Sequence, residues 1–169
     1  MVKKPLVSII IVNYKVREKL IECIESIEKY APKISYEVIV VDNEGDQNLQ
    51  TQLIAFKNAT YIKSKSNLGF GAGNNLGASK ARGEYLFFLN PDTLFVENVV
   101  DGLYKLIKSD NEIGIVAPKL LDLKRIEYPE QGTVELTPFK ALLHLSFLSK
   151  FFENSSIISN IPSPIGLDQ

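Results

Sequence analysis

The chain has one cysteine, one histidine and no tryptophan among its 169 residues. A lone cysteine, Cys23, can neither close an intramolecular disulfide nor supply a thiolate zinc site. Its place among Ile21, Ile24 and Ile27 at helical spacing reads as core filler. The single histidine, His144, has no serine or cysteine partner pattern, so nucleophilic triads find no support. Net charge is equally scarce. With 19 Lys and Arg against 20 Asp and Glu, a balance of −1, the chain has no general attraction for a polyanion, which argues against a nucleic-acid partner. No apolar run reaches the ~18 residues that a membrane span requires. The start, Lys3-Lys4-Pro5 and an apolar stretch from Leu6 to Val12, runs into Asn13-Tyr14-Lys15 without a small-residue cleavage site. It reads as a first strand rather than a signal peptide, and the expected location is cytoplasmic.

What is present is an ordinary core fraction, 45% hydrophobic with 23% charged, enough for one folded unit. Val7-Ser8-Ile9-Ile10-Ile11-Val12 is short and β-branched, apolar enough for a parallel strand covered on both faces. In residues 17–30, Leu20, Ile24 and Ile27 form one helical stripe while Glu18, Lys19, Glu22, Glu25 and Glu28 are left for solvent, and Pro32 closes the helix. Further strands are predicted at 37–41, 59–63, 84–89 and 113–117, with helices at 49–56 and 96–109. Such alternation predicts an α/β layer fold with a mostly parallel sheet, in which right-handed crossovers bring the C-terminal strand ends to one ligand-binding rim. Asp42, the loop from Asn67 to Asn75, and Asp92 all fall on that rim. Beyond Pro118 the pattern changes: 120–135 reads as a hairpin or loop, Pro138 opens an apolar helix reaching Phe152, and a Ser- and Pro-rich tail with little expected structure follows.

Asn67-Leu68-Gly69-Phe70-Gly71-Ala72-Gly73-Asn74-Asn75-Leu76-Gly77 is the most informative local feature. Glycines at the mouth of a helix let a ligand approach the backbone, and the free N–H groups there can face phosphate oxygens. The same residues also suit a loop needing positive φ, with Gly77, Ala78 and Ala81 packed on the sheet. A dinucleotide fingerprint is excluded, because the glycines follow the third strand and the residue three after Gly73 is Leu76. A P-loop is excluded too, for want of Gly-Lys-Ser/Thr. Asn90-Pro91-Asp92 ends an apolar strand; by itself it reads as a turn, and on a ligand rim Asp92 is suited to hold a divalent cation with substrate phosphates. Lys63, Lys65, Lys80 and Arg82 flank the glycine-rich segment and are able to steer an anion.

Taken together, Val7 to Tyr14, Val40-Val41-Asp42-Asn43, Asn67 to Gly77 and Gly83 to Asp92 resemble the nucleotide-sugar-dependent glycosyltransferases of family 2, with the GT-A fold, and within them the rhamnosyltransferase-like branch. The likeness covers about residues 5–125. It implies a GT-A, Rossmann-like sheet with helices on both faces, and residues 1–125 as the donor-binding part. It further implies that Asn13 and Tyr14 line the nucleotide pocket, that Asp42 accepts from the base, and that Asn67, Gly69 and Asn74 help to hold the nucleotide. Asn90 and Asp92 would correspond to the Asp-x-Asp motif, Asp92 being the carboxylate for Mg²⁺ or Mn²⁺, with Asn90 replacing the first Asp. The implied reaction is an inverting transfer of a sugar such as rhamnose from a dTDP- or UDP-linked donor to a glycan or lipid-linked acceptor.

The family's general base comes in a Glu-Asp-x-Asp-like motif after this segment, and no adjacent Glu-Asp pair follows Asp122. Residues 126–169 are therefore expected to be a partial C-terminal segment, and the domain to be incomplete. No catalytic base is assigned. Two rivals stay open: a nucleotide-binding module without turnover, and a nucleotidyltransferase, although the latter's basic glycine loop is missing after the first strand, where Asn13-Tyr14-Lys15-Val16 stands. The apolar stretch at 139–152, which includes Phe147 and Phe151, is expected to mediate self-association or to meet the inner face of a membrane, burial on the chain's own sheet being the alternative.

Overall fold

Four apolar segments form parallel strands, β1 (Val7–Asn13), β2 (Tyr36–Asp42), β3 (Ala59–Lys63) and β4 (Tyr85–Leu89), in the spatial order β3-β2-β1-β4. The computed structural model describes residues 4–122. Residues through Val116 belong to one compact unit and those from Ala117 to another. The apolar stretch at 139–152 and the tail lie outside the described residues. No helix among the described residues is long and apolar enough to cross a membrane.

The helices alternate with the strands: α1 (Arg17–Lys29), α2 (Gln47–Leu53), α3 (Gly69–Lys80) and α4 (Val99–Ser109). Leu20, Cys23, Ile24 and Ile27 of α1 are buried against Val7, Ile9, Ile11, Val38 and Val40, together with Leu49 and Leu53 of α2 and Val100 of α4. The opposite face, Ile10, Val12, Ile39 and Val41, packs against Leu76 and Ala78 of α3. Full burial of each such Ile or Val contributes about 1.5–3 kcal/mol. This is the expected α/β arrangement, with helices on both faces.

At the N-terminal end of the sheet the buried Glu37 closes a polar network. Its Oε1 accepts the Ser8 hydroxyl at 2.7 Å, and Oε2 accepts Arg82 Nη2 at 2.7 Å.

Three local expectations are corrected. Most of the glycine-rich stretch is helix rather than loop, since α3 begins at Gly69 itself. Glycine is a poor helix former, yet an added Cβ at Gly77 would stand 2.5 Å from Ile10 Cγ2, so close packing on the sheet overrides propensity. Next, the apolar strand before Asn90 is covered on one face only: Leu86 and Phe88 of β4 are exposed, because α3 lies over β1 and β2. Finally, the strand predicted at 113–117 does not form. The Ile113 N–H closes a turn onto Asp110 O at 3.2 Å, and the following residues line a groove of about 350 Å³ beside β4 and α4.

Candidate functional site

The chain adds β2 and β3 on one side of β1 and then returns to add β4 on the other, which makes the C-terminal end of β1 a topological switch point. Around it lie the ends of β1 and β2, the segment entering α3, and the turn after β4.

Asp42 ends β2 and is completely buried. Its Oδ1 accepts Asn13 Nδ2 at 3.0 Å and the Glu44 N–H at 3.1 Å; its Oδ2 accepts the Tyr61 hydroxyl at 2.8 Å and the Asp46 N–H at 2.7 Å. Those four donors fill the lone pairs of a carboxylate. In this structure Asp42 is thus a knot beneath the rim, joining β1, β3 and the loop into α2. Asn13 is completely buried, its Nδ2 donating to Asp42 while its Oδ1 has no hydrogen-bond partner. Burial, followed by the hydrogen bond and charge of Asp42, pushes the Tyr61 hydroxyl well above its ordinary range.

The next residue, Asn43, was missed as a site residue although it stands within the motif. It is 5% exposed, and its Nδ2 donates to Gly69 O at 3.2 Å, tying the end of β2 to the start of α3. That bond directs the amide, and Asn43 Oδ1 has no hydrogen-bond partner. A buried acceptor left unpaired costs about 1–3 kcal/mol, so it marks a place for an incoming donor.

Tyr14 is 44% exposed, and the neighbouring Lys15 has φ +60 with its N–H donating to Glu44 Oε2 at 3.1 Å. Asn67 Oδ1 accepts the Gly69 N–H at 2.9 Å, and Gly69 has φ +76, a conformation that glycine adopts without steric cost. Apart from chain neighbours and the helix's own backbone, nothing lies within 4 Å of a Cβ built at Gly69 or Gly71, so the first turn of α3 is open to a ligand. Asn74 is 8% exposed within α3. Asn90 and Asp92 are exposed in the turn after β4.

Among the described residues no three His, Cys, Asp or Glu side chains come together as a metal cage. The Asp92 carboxylate is exposed and has no hydrogen-bond partner there. That fits the mode in which Mg²⁺ uses one carboxylate, water and substrate phosphates.

A parallel α/β sheet with helices on both faces and these polar groups at its switch point is an arrangement of the GT-A type. A family model, glycosyl transferase family 2, matches residues 8–158, and the chain belongs to that family. It is 32% identical over 139 residues to the low-salt glycan biosynthesis hexosyltransferase Agl10 of Haloferax volcanii, covering 80% of this chain and 43% of the relative. It is 27% identical to the poly(ribitol-phosphate) beta-N-acetylglucosaminyltransferase TarP of Staphylococcus aureus, covering 91% of this chain and 50% of the relative. The chain thus spans half or less of the length of these relatives. Among solved structures, it superposes on the mannosyltransferase PcManGT from Pyrobaculum calidifontis, in complex with GDP-Man and Mn²⁺. The TM-score is 0.59 at 19% identity, over 67% of this chain and 35% of the other, a likeness of fold.

Proposed function

We propose that this chain binds the nucleoside-diphosphate part of a nucleotide sugar, and that it serves an inverting glycosyltransferase. The observation that carries the reading is the unpartnered, buried Asn43 Oδ1 at the switch point. An amide oxygen held in this way accepts an N–H from a base, and uracil and thymine each offer one. Tyr14 presents a ring on which a base can stack, while the open first turn of α3 suits the diphosphate. Asn67 shapes that turn through Gly69, with Asn74 behind it. Asp92, with Asn90 as a neutral neighbour, would hold Mg²⁺ or Mn²⁺.

Family membership supports the reaction class. The hexosyl and N-acetylglucosaminyl transfer named for the two relatives, and the GDP-Man and Mn²⁺ of the structural neighbour, support a nucleotide-sugar donor with a divalent metal. The donor proposed is dTDP- or UDP-linked, with rhamnose as the first sugar to test. The acceptor proposed is a glycan or a lipid-linked glycan, which goes with a cytoplasmic protein working at the inner face of a membrane. In such a transfer an acceptor hydroxyl attacks the anomeric carbon opposite the diphosphate, the bond from that carbon to the diphosphate oxygen breaks, and the hydroxyl proton passes to a general base, for which no residue of this chain is assigned. When bound, the metal neutralises charge on that leaving group.

Calorimetry with UDP, dTDP and GDP, with and without Mn²⁺, tests the binding. The wild-type chain should bind at least one of them more tightly with metal, and Asp92→Ala should lose the gain. Asn43→Ala should weaken binding roughly tenfold in either condition. Affinity indifferent to metal, to Asp92 and to Asn43 would overturn the reading.

A further inference from the structure

We propose that Ser26, on α1, is a positioning residue that holds the turn from Asn90 to Asp92 where its carboxylate can meet a divalent cation. This rests on the reading of Asp92 as the metal carboxylate.

The Ser26 hydroxyl has one proton, donated within its own helix to Cys23 O at 2.6 Å. Only its lone pairs then face outward, and there the Phe95 N–H donates to Oγ at 2.9 Å. Three residues earlier on the same helix face, Cys23 Sγ donates to Asn90 O in a long contact of 3.9 Å. Asn90 O also accepts the Thr93 N–H at 3.3 Å, closing the turn. The segment is therefore tied to α1 on both sides of Asp92, more firmly at Ser26.

Phe95 is 6% exposed, with its ring 6.2 Å from that of Phe87, so its N–H has no ready alternative in water. The Asp92 side chain has no hydrogen-bond partner among the described residues, so its place depends on the backbone of the turn. Removing the Ser26 oxygen frees that backbone at its stronger tie. A group supplying the main protein charge to a cation must be held within about 0.5 Å of its working geometry.

The test compares wild type, Ser26→Ala, Ser26→Thr and Asp92→Ala in titrations with UDP, dTDP and GDP, each with and without Mn²⁺, alongside thermal unfolding. Ser26→Ala should keep its metal-free nucleotide affinity and lose about tenfold of the gain that Mn²⁺ confers, the size expected for a group that orients a ligand. Ser26→Thr, which keeps the acceptor, should restore the gain. A purely structural role would lower the melting temperature and leave the Mn²⁺ gain intact, and that result overturns the proposal. A full gain in Ser26→Ala beside its loss in Asp92→Ala overturns the role of Ser26 alone. No gain in wild type overturns the metal reading of Asp92 and this proposal with it. Should Ser26→Ala not fold, Ser26→Cys gives the same comparison with a weaker acceptor, a reduced gain supporting the role and a full gain overturning it.

Discussion

Asn13 and Asp42 face each other at the last register position of β1 and β2, and Asn13 Nδ2 donates to Asp42 Oδ1 at 3.0 Å with both side chains completely buried. The β1–α1 and β2–α2 loops of the rim are thereby joined before any ligand arrives. Removing the carboxylate would orphan four donors, and a buried donor left unsatisfied costs about 1–3 kcal/mol, so Asp42→Ala should destabilise the fold more than Tyr61→Phe does. Tyr61→Phe should cost about 1.5–3 kcal/mol, the worth of one hydrogen bond to a charged group. Urea unfolding measures both, and a Tyr61→Phe variant as stable as wild type would show that this hydroxyl is dispensable.

A second expectation concerns acid. Burial pushes the Glu37 carboxyl up, but the Arg82 N–H, the Ser8 hydroxyl and the Arg82 guanidinium outweigh it and leave the group below its ordinary value of 4.5. A lowered folded value means stability present above the unfolded value and lost as pH falls through the folded one. Wild type should thus lose stability below about pH 4.5 more steeply than Glu37→Gln. Parallel acid-unfolding curves for the two would refute the network's contribution.

The glycines of α3 should separate packing from ligand access. At Gly77 an added Cβ would lie 2.5 Å from Ile10 Cγ2 and 3.2 Å from Val41 Cγ2, so Gly77→Ala should destabilise by about 1–3 kcal/mol. At Gly71 nothing beyond chain neighbours and the helix's own backbone lies within 4 Å, so Gly71→Ala should stabilise the helix by about 0.5–1 kcal/mol. The methyl group would nevertheless stand where the diphosphate is proposed to approach. Thermal unfolding paired with nucleotide titration should show Gly71→Ala more stable and weaker in binding, and unchanged binding would move the diphosphate away from this turn.

Asn90 supplies a last test. It is exposed two residues before Asp92, and Asn90→Asp would add a second carboxylate to the turn. The Mn²⁺-dependent gain in nucleotide affinity should rise, while metal-free affinity should fall through repulsion of the diphosphate. Calorimetry that finds neither change would place the cation away from Asn90.

Local pattern and tertiary placement contributed different parts of this protein. The runs at β1 and β2 and the stripe of Leu20, Ile24 and Ile27 announced the α/β layering, because β-branched residues and 3.6-residue spacing act within one segment. The turn residues Asp42 and Asp92 were legible as rim residues for the same reason, and Asn43 was not. Which of them faces a ligand was not. Asp42 is saturated by donors from three other segments, among them Tyr61, which is 19 positions away and joined to it only by the pairing of β2 with β3. Asn43, its neighbour, is left with an open acceptor because α3 begins against it at Gly69. The missing strand at 113–117 and the exposed face of β4 belong to the same class. Apolar character belongs to the sequence, whereas burial and hydrogen-bond saturation depend on which distant groups the folded chain brings within about 3 Å.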